Sequence, residues 1–530
     1  MQKVSADKKG LATFDHVVVL MLENRSFDNL LGYLYTDEEV PAGKKFAGLN
    51  QFDGALPVPS WVKDFTQHPS IKPFKATNYH QPFPDPGEVY QHVNSQIYNY
   101  INPDNCRVSA ANMVAPYNMP SSVPNPPPMD GFIKDYVNTL NALNSKKGKH
   151  YNDPGYDMYS AIMQCFKPCQ VNVLSTLAKE FAVFDHWFCS VPSQTWCNRS
   201  FWHAGTSAGK VVNPLDSGGA WRDVKAMASW AKNVWKQKTL FDRMKANKIS
   251  HAVYIEDSFS LTELVNNFKH KNVIRAGDKL TAFKNDLKTG QLPQYAFIEP
   301  KFLGQHNDQH PSSVDVGLID DDGPTREGSV LLGEKLIWDV YTSLMSSQYK
   351  DNTLLIITYD EHGGCFDHIA PPQLPTALSQ APGQKGFRFD RLGIRVPMVM
   401  VSAYLPENTI INDPYEHCSF IKTMCEKWDL EGLTDRDKQA PSFGSVFSDT
   451  KRTNFPVIDE PCIPQTSDKD YADDPLNDLQ KSILVGAHYI SQMNQKSPFN
   501  PNLLDDIETV GQAIEHLQSL KQNLSEPLGT

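Results

Sequence analysis

The chain has 530 residues, 40% of them hydrophobic and 21% charged, which is enough apolar content to bury a large core. Its net charge of −11 argues against a broad nucleic-acid surface and offers no attraction to anionic membranes. No run approaches the roughly 18 apolar residues of a membrane span, and the nine cysteines, an odd number, do not form a disulfide scaffold.

Residues 1–10 are polar and carry no visible signal peptide. The expected compartment is extracytoplasmic where a leader has been removed and cytoplasmic otherwise. The first strand signal is Phe14–Leu22, which ends on Glu23-Asn24-Arg25-Ser26-Phe27-Asp28-Asn29. The stretch 40–128 is rich in Pro, Asn and aromatics and reads as a long insertion. A second strand-like run, Phe181–Val191, leads into Pro192-Ser193-Gln194-Thr195-Trp196-Cys197-Asn198-Arg199. Further strands are expected at 250–255, 294–298, 352–359 and 396–401, with a helix over 330–340. Strands alternating with helices predict a layered α/β fold, a central sheet with helices on both faces. From about 470 the pattern turns helical, with Leu503, Ile507, Val510, Ile514, Leu517 and Leu520 at near-helical spacing.

The chemistry is announced where two apolar strands stop. The 352–359 run ends on Asp360-Glu361-His362-Gly363-Gly364, two adjacent carboxylates followed by a pair that lets the backbone turn sharply. Like charges side by side are costly unless a cation lies between them, and a divalent metal is the usual solution. Singly, a Glu-Asn or Asp-Glu pair after a strand reads as a turn or helix cap. Two such strand ends suggest a metal site at the carboxyl edge of the sheet. The hydroxyls of Ser193 and Thr195 add a nucleophile candidate, because helix-start N–H groups face an anion under attack.

In chain order, His16–Asp28, Met129-Asp130-Gly131-Phe132, Cys189–Pro192 with Asn198-Arg199, Ile298-Glu299-Pro300, Asn307–Pro311, Asp360–Gly364 with Phe366-Asp367-His368, Leu392–Pro397 and Glu416-His417 form a series. The series resembles a phosphoesterase family that joins bacterial phosphatidylcholine-preferring phospholipases C, plant non-specific phospholipases C and AcpA-type acid phosphatases, within the alkaline phosphatase superfamily. The resemblance implies an alkaline phosphatase-like domain over 1–450, interrupted by the insertion at about 40–128, and a helical extension over 451–530. It implies Glu23, Asn24, Thr195, Asp360 and Glu361 as metal ligands and Thr195 as the nucleophile, preferred over Ser193 on register. Asn198 would hold phosphoryl oxygens, His310 and His417 would be phosphate contacts or ligands of a second metal, and His203 would occupy another such position.

Three departures from the family pattern bear on the pocket. Asp85-Pro86-Gly87 is followed by Glu88 where family members often carry His, a role His80 or His92 would have to fill from a shifted position. Cys197 and Cys365 also break the pattern.

The expected activity is metal-dependent hydrolysis of a phosphate ester through a phospho-threonine intermediate, foremost a phospholipase C that releases diacylglycerol and a phosphorylated head group. The alternatives are an acid phosphatase and a non-catalytic phospholipid-binding protein. The cofactor is a divalent ion: oxygen ligands favour Ca²⁺, Mg²⁺ or Mn²⁺, and added histidines favour Zn²⁺. Lipid access calls for transient membrane contact. Phe52, Trp61, Phe65, Phe74, Tyr79, Phe83 and Tyr90 of the insertion are the candidates for an apolar lip. Cys165 and Cys169 are close enough in sequence to close a small loop.

Overall fold

The computed structural model describes residues 6–147, 154–214, 224–268, 273–311, 328–375, 381–463, 471–498, 500, 504 and 506–524. Its framework is an eight-stranded sheet. In chain order the strands are β1 (His16–Leu22), β2 (Ala182–Phe184), β3 (His251–Ile255), β4 (Ile274–Ala276), β5 (Tyr295–Ile298), β6 (Thr353–Tyr359), β7 (Met398–Val401) and β8 (Thr409–Ile411). Across the sheet they run β8-β2-β7-β6-β1-β5-β3-β4. Only β7 is antiparallel to its neighbours. β1 lies between β5 and β6, parallel to both, and Val17 through Leu22 are completely buried. A strand covered on both faces needs an unbroken apolar run rather than an alternating one, and His16-Val-Val-Val-Leu-Met-Leu22 supplies it.

Two expected strands are reshaped. The run 396–401 pairs only from Met398, because Pro397 cannot donate to the ladder. The run 181–191 splits into β2 and a two-residue strand, Trp187–Phe188, that pairs with Tyr415–Glu416 instead. Asp185 makes the corner: its carboxylate accepts from the Ala47 N–H at 2.8 Å and from Asn412 Nδ2 at 2.7 Å.

The insertion forms its own apolar cluster, in which Leu56, Val62, Ile71, Val93 and Ile97 pack against Phe132, Ile133 and Val137 of the Phe132–Lys147 helix. Its aromatics mostly serve that packing. Phe52, Phe65 and Phe74 lie half-buried on this cluster, Tyr79 packs on the main core and Tyr90 is buried in a second one. Trp61 alone of the seven lip candidates is exposed. The exposed large hydrophobic side chains of the insertion are Trp61, Val114 and Val123.

Beyond 470, helices Asp478–Asn494 and Val510–Leu524 pack on the second core with Trp196, Phe201 and Trp230. Ile507 precedes the last helix, and Leu503 lies outside the described residues. Gly486 permits the close approach of the tail: a Cβ there would stand 2.9 Å from the Trp196 ring. Trp196 follows Thr195 directly, so the tail braces the back of the helix that carries the nucleophile candidate. No helix among the described residues is long and apolar enough to cross a membrane. Cys165 and Cys169 are unbridged.

Candidate active site

Register builds the site. Leu22 pairs with Tyr359, so β1 and β6 end level and release Glu23 and Asp360 side by side at the carboxyl edge. Asn24 then adopts φ +50°, a left-handed conformation that Asn tolerates better than most residues. Gly363 (φ +62°) and Gly364 (φ +67°) fold the 361–368 loop back over it. A Cβ at Gly363 would lie 2.1 Å from the Asn24 carbonyl oxygen, and one at Gly364 would lie 2.5 Å from that of Gly87. Glycine is required at both places by sterics and by φ, and the close approach brings Glu361 up to Glu88.

Thr195 opens the Thr195–Ala204 helix, whose N-cap, Gln194, makes no side-chain capping bond. The Thr195 hydroxyl lies 2.9 Å from Glu23 Oε2, to which it donates, and 3.4 Å from Asn24 Oδ1. Ser193 points elsewhere and donates to the Val211 carbonyl. Four residues along the helix, buried Arg199 ion-pairs with Glu23 and reaches Asp360 Oδ2 from Nε at 3.3 Å. Asp360 Oδ1 accepts from the Glu361 N–H at 2.8 Å. Asn24 Nδ2 donates to Glu88 Oε2 at 2.7 Å. Glu23, Asn24, Thr195, Asp360 and Glu361 are thus gathered with Arg199 and Glu88, all buried.

The carboxylates are under electrostatic stress. Burial, joined by the charge of Asp360, lifts the Glu23 and Glu361 carboxyls well above their ordinary range, and Arg199 relieves Glu23 only in part. Burial and then the facing Glu361 raise Glu88 as well. Among the described residues, Glu361 Oε1 has no hydrogen-bond donor. A buried oxygen without a donor, among carboxylates that resist ionising together, fits a bound cation. Glu23, Asp360, Glu361, Asn24 Oδ1 and Thr195 Oγ1 would hold it.

The remaining expected residues stand differently. Asn198 Oδ1 accepts from the Val191 N–H at 3.0 Å, and its Nδ2 donates to the Ser193 carbonyl at 2.7 Å. Its side chain therefore braces the loop before Thr195 rather than facing a phosphoryl group. His417 accepts from the Trp187 indole Nε1 at 3.2 Å and contacts the Asp360 carbonyl through Nε2 at 2.7 Å, so one ring nitrogen is tied to a core side chain and the other to the backbone beneath the site. His203 packs between Phe241 and Phe297, one helix length away, and burial keeps it neutral. Only His310 of the three histidines faces the carboxylates, with Nε2 3.7 Å from Glu88 Oε2.

Sequence reasoning gave no role to Arg199 and registered Glu88 only as a break in a pattern. Glu88 itself occupies the site, while His92 is bonded to Asp135 at 2.9 Å. A group of similar composition, Asp28, Asp367 and His368, is already compensated by Arg395, which bonds Asp367 at 2.8 Å and Asp28 at 2.9 Å.

The phosphoesterase family model matches residues 14–431. Non-specific phospholipase C6 of Arabidopsis thaliana is 29% identical over 95% of this chain and 85% of its own length. Non-specific phospholipase C5 of the same plant is 31% identical, over 83% and 76%. Phospholipase C B of Mycobacterium tuberculosis (strain ATCC 25618 / H37Rv) is 26% identical, over 78% and 73%. Among solved structures, an alkaline phosphatase superfamily protein from Vibrio parahaemolyticus aligns over 52% of this chain and 62% of its own, at 11% identity and a TM-score of 0.28. With four-fifths of its length matched by one model, this chain belongs to the phosphoesterase family and is a phosphoric ester hydrolase.

Proposed function

We propose that the chain is a divalent-metal-dependent phospholipase C with Thr195 as its nucleophile. The observation that carries this reading is the Thr195 hydroxyl at the first position of a helix, bonded to Glu23 at 2.9 Å and flanked by Asn24. A bound divalent cation would supply positive charge that lowers the hydroxyl pKa and offsets phosphoryl charge. Glu23 Oε2 accepts the hydroxyl hydrogen and so fixes the direction of the Oγ1 lone pairs. Thr195 Oγ1 forms the bond to phosphorus as the phosphorus–oxygen bond to glycerol breaks, and diacylglycerol leaves with a proton. The head-group phosphate is then an ester of Thr195. Water cleaves that ester, which frees the phosphorylated head group and restores the hydroxyl. The start of the Thr195 helix would turn its positive dipole end toward the phosphoryl oxygens, with the Trp196 N–H already donated to Asn213 Oδ1 at 3.0 Å.

The names of the plant and mycobacterial relatives support the choice of a phospholipid over a phosphomonoester. The acid phosphatase reading keeps one supporting observation: of the seven aromatic lip candidates only Trp61 is exposed. Side-by-side assay of phosphatidylcholine vesicles and p-nitrophenyl phosphate decides between them. Release of diacylglycerol that vanishes in Thr195→Ala is expected. Turnover of the monoester alone would overturn the phospholipase reading.

A further inference from the structure

We propose that a lysine-lined cleft, separate from the active site, binds a phosphorylated polyol. The cleft measures about 810 Å³ and lies where helices Val224–Asn233, Leu240–Ala246, Leu261–Asn266 and Asp478–Asn494 meet. The Asp478–Asn494 helix runs between the two sites. Asp478 and Lys481 line the cavity beside Glu88 and His310, whereas Tyr489 and Met493 line the cleft, and no residue lines both. From Lys481 to Met493 the helix rises about 18 Å. Charge sets the cleft apart from the rest of the surface. The chain has a net charge of −11, yet the stretch 225–248 holds six lysines and Arg243 against a single acid, Asp242. Lys232, Lys236, Lys238 and Lys245 line the cleft, are exposed, and form no ion pair among the described residues. Arg243 by contrast pairs with Glu431 at 2.8 Å. Asp242 is engaged in a capping box, where its carboxylate accepts from the Thr239 N–H at 2.8 Å and the Thr239 hydroxyl at 2.9 Å. A concave wall of one sign focuses its field on whatever enters, and here it draws anions.

A run of lysines is ordinarily a solvated face, and Asn266 distinguishes this one. Asn266 lines the cleft and is 2% exposed, yet neither its Nδ2 nor its Oδ1 has a hydrogen-bond partner among the described residues. A buried amide without partners is costly, so a group that enters the cleft and bonds to it gains what the fold has left unmade. The carbonyls at the end of the same short helix, which would repel an anion, are already taken up by donors. Trp235 Nε1 donates to the Leu264 carbonyl at 2.9 Å and Trp230 Nε1 to that of Val265 at 2.9 Å. The Asn267 N–H donates to the Glu263 carbonyl at 2.6 Å.

The lining selects the ligand. Lysine ammoniums serve phosphate as point charges. The Asn266 amide wants an acceptor for Nδ2 and a donor for Oδ1, and a hydroxyl answers both. Trp235 and Tyr489, in edge contact at 5.9 Å, give an apolar wall for the C–H face of a ring or chain. A polyol that carries phosphates offers all three. It occurs free, as an inositol phosphate, and on a membrane, as the head group of an inositol phospholipid, and the recognising chemistry is common to both. Binding there uses neither Thr195 nor the strand-end carboxylates, so it stands or falls apart from the proposed function.

The test takes the full chain, with chelator present, against two probes. Inositol trisphosphate is titrated by calorimetry, and phosphatidylcholine vesicles with and without phosphatidylinositol bisphosphate are co-sedimented. Binding of the soluble probe, or of the doped vesicles beyond the plain ones, is expected in the micromolar range and should weaken as salt rises. Lys232→Glu with Lys236→Glu should weaken it by about tenfold or more. Asn266→Leu should weaken it by about tenfold, through loss of bonds to the ligand. Without ligand, Asn266→Leu should melt no lower than the wild type, because it removes an unpaired buried amide. Binding of the soluble probe assigns a free ligand, and binding of the doped vesicles alone assigns the lipid-borne head group. Failure of both probes at millimolar concentration, or an affinity untouched by the lysine reversal, overturns the proposal. So does an Asn266→Leu protein that melts lower yet binds as well as the wild type, since the amide then serves the fold. If Asn266→Leu is unfolded, the lysine reversal, confined to exposed side chains, still decides.

Discussion

Glu23 and Asp360 leave neighbouring parallel strands at the same level, and the Arg199 guanidinium bridges their carboxylates. The bridge makes Arg199 part of the same electrostatic unit as the expected ligands. It rises from the nucleophile's own helix, one turn past Thr195. Removing it leaves buried carboxylates without their protein cation. Arg199→Leu should destabilise the metal-free protein by about 3–5 kcal/mol. Saturating divalent metal should recover part of that loss, because the cation takes over the neutralising charge. Thermal unfolding with and without metal measures both. A variant as stable as the wild type in chelator would show that the bridge is without consequence.

Thr195→Ala should lower turnover by about 10³-fold or more, since loss of a nucleophile removes the covalent route altogether. Its stability should change by only about 1 kcal/mol, the worth of one buried hydroxyl bond. Ser193→Ala loses a bond to the Val211 carbonyl and should keep most of its activity. Rapid-quench phosphopeptide mapping should find the label on Thr195. A label on Ser193 would reverse the assignment.

Chelation should abolish turnover, and Glu23→Ala or Asp360→Ala should remove bound metal and activity together, each deleting a charged oxygen from the cluster. Activity that survives both substitutions and full chelation would refute metal dependence.

Much of this site was legible in the sequence because it is written at strand ends. An unbroken apolar run that stops on carboxylates fixes the strand, its end and the face of the sheet at once, as at Leu22-Glu23 and Tyr359-Asp360. The hydroxyl pair 193/195 was ambiguous on sequence, and local geometry separates them by pointing Ser193 at a carbonyl. Side-chain direction was not legible. Asn198, His203 and His417 sit in matching segments, yet their polar atoms face a loop, an aromatic core and a backbone carbonyl. The aromatics of the insertion misled for a related reason. Composition reports how much apolar surface a segment carries, and packing decides whether that surface faces inward.

Glu334 offers a pH test that is separate from the site. Its buried carboxylate accepts from the Val173 and Leu174 N–H groups at the start of the Asn172–Glu180 helix, yet burial pushes its pKa up to about 8. The folded-state value lies above the unfolded one of about 4.3. The folded protein therefore holds the proton more tightly, and this contribution to stability is complete below the unfolded value. It is lost as pH rises through about 8. Glu334→Gln removes the titration while keeping an acceptor oxygen. The variant should gain on the wild type, by up to a few kcal/mol, between pH 5 and pH 9. Other raised carboxylates are common to both proteins and cancel in the comparison. Melting curves that keep a constant separation across that range would remove Glu334 from the account.

Lipid access supplies the last prediction. The side chains of Val114 and Val123 are 48% and 42% exposed. Val114 is held in place by two bonds between its backbone and the Asn105 side chain. Its loop includes Ser109 and Ala110, which line the cavity beside Glu88 and His310. Exposed apolar side chains lose nothing by meeting the acyl region of a lipid and gain by leaving water. Replacing both with Ser should lower cleavage of phosphatidylcholine vesicles by about tenfold, the effect of about 1.4 kcal/mol in interfacial binding. Hydrolysis of a soluble p-nitrophenyl phosphate ester should stay within about twofold, because neither residue touches the carboxylates or Thr195. Since Trp61 is exposed in the connection between the paired Leu56–Pro57 and Ser70–Ile71 strands and does not line that cavity, Trp61→Ser serves as the control and should leave the ratio of the two rates unchanged. Equal losses on both substrates in the double variant would mean that the loop supports the site itself rather than a lipid surface.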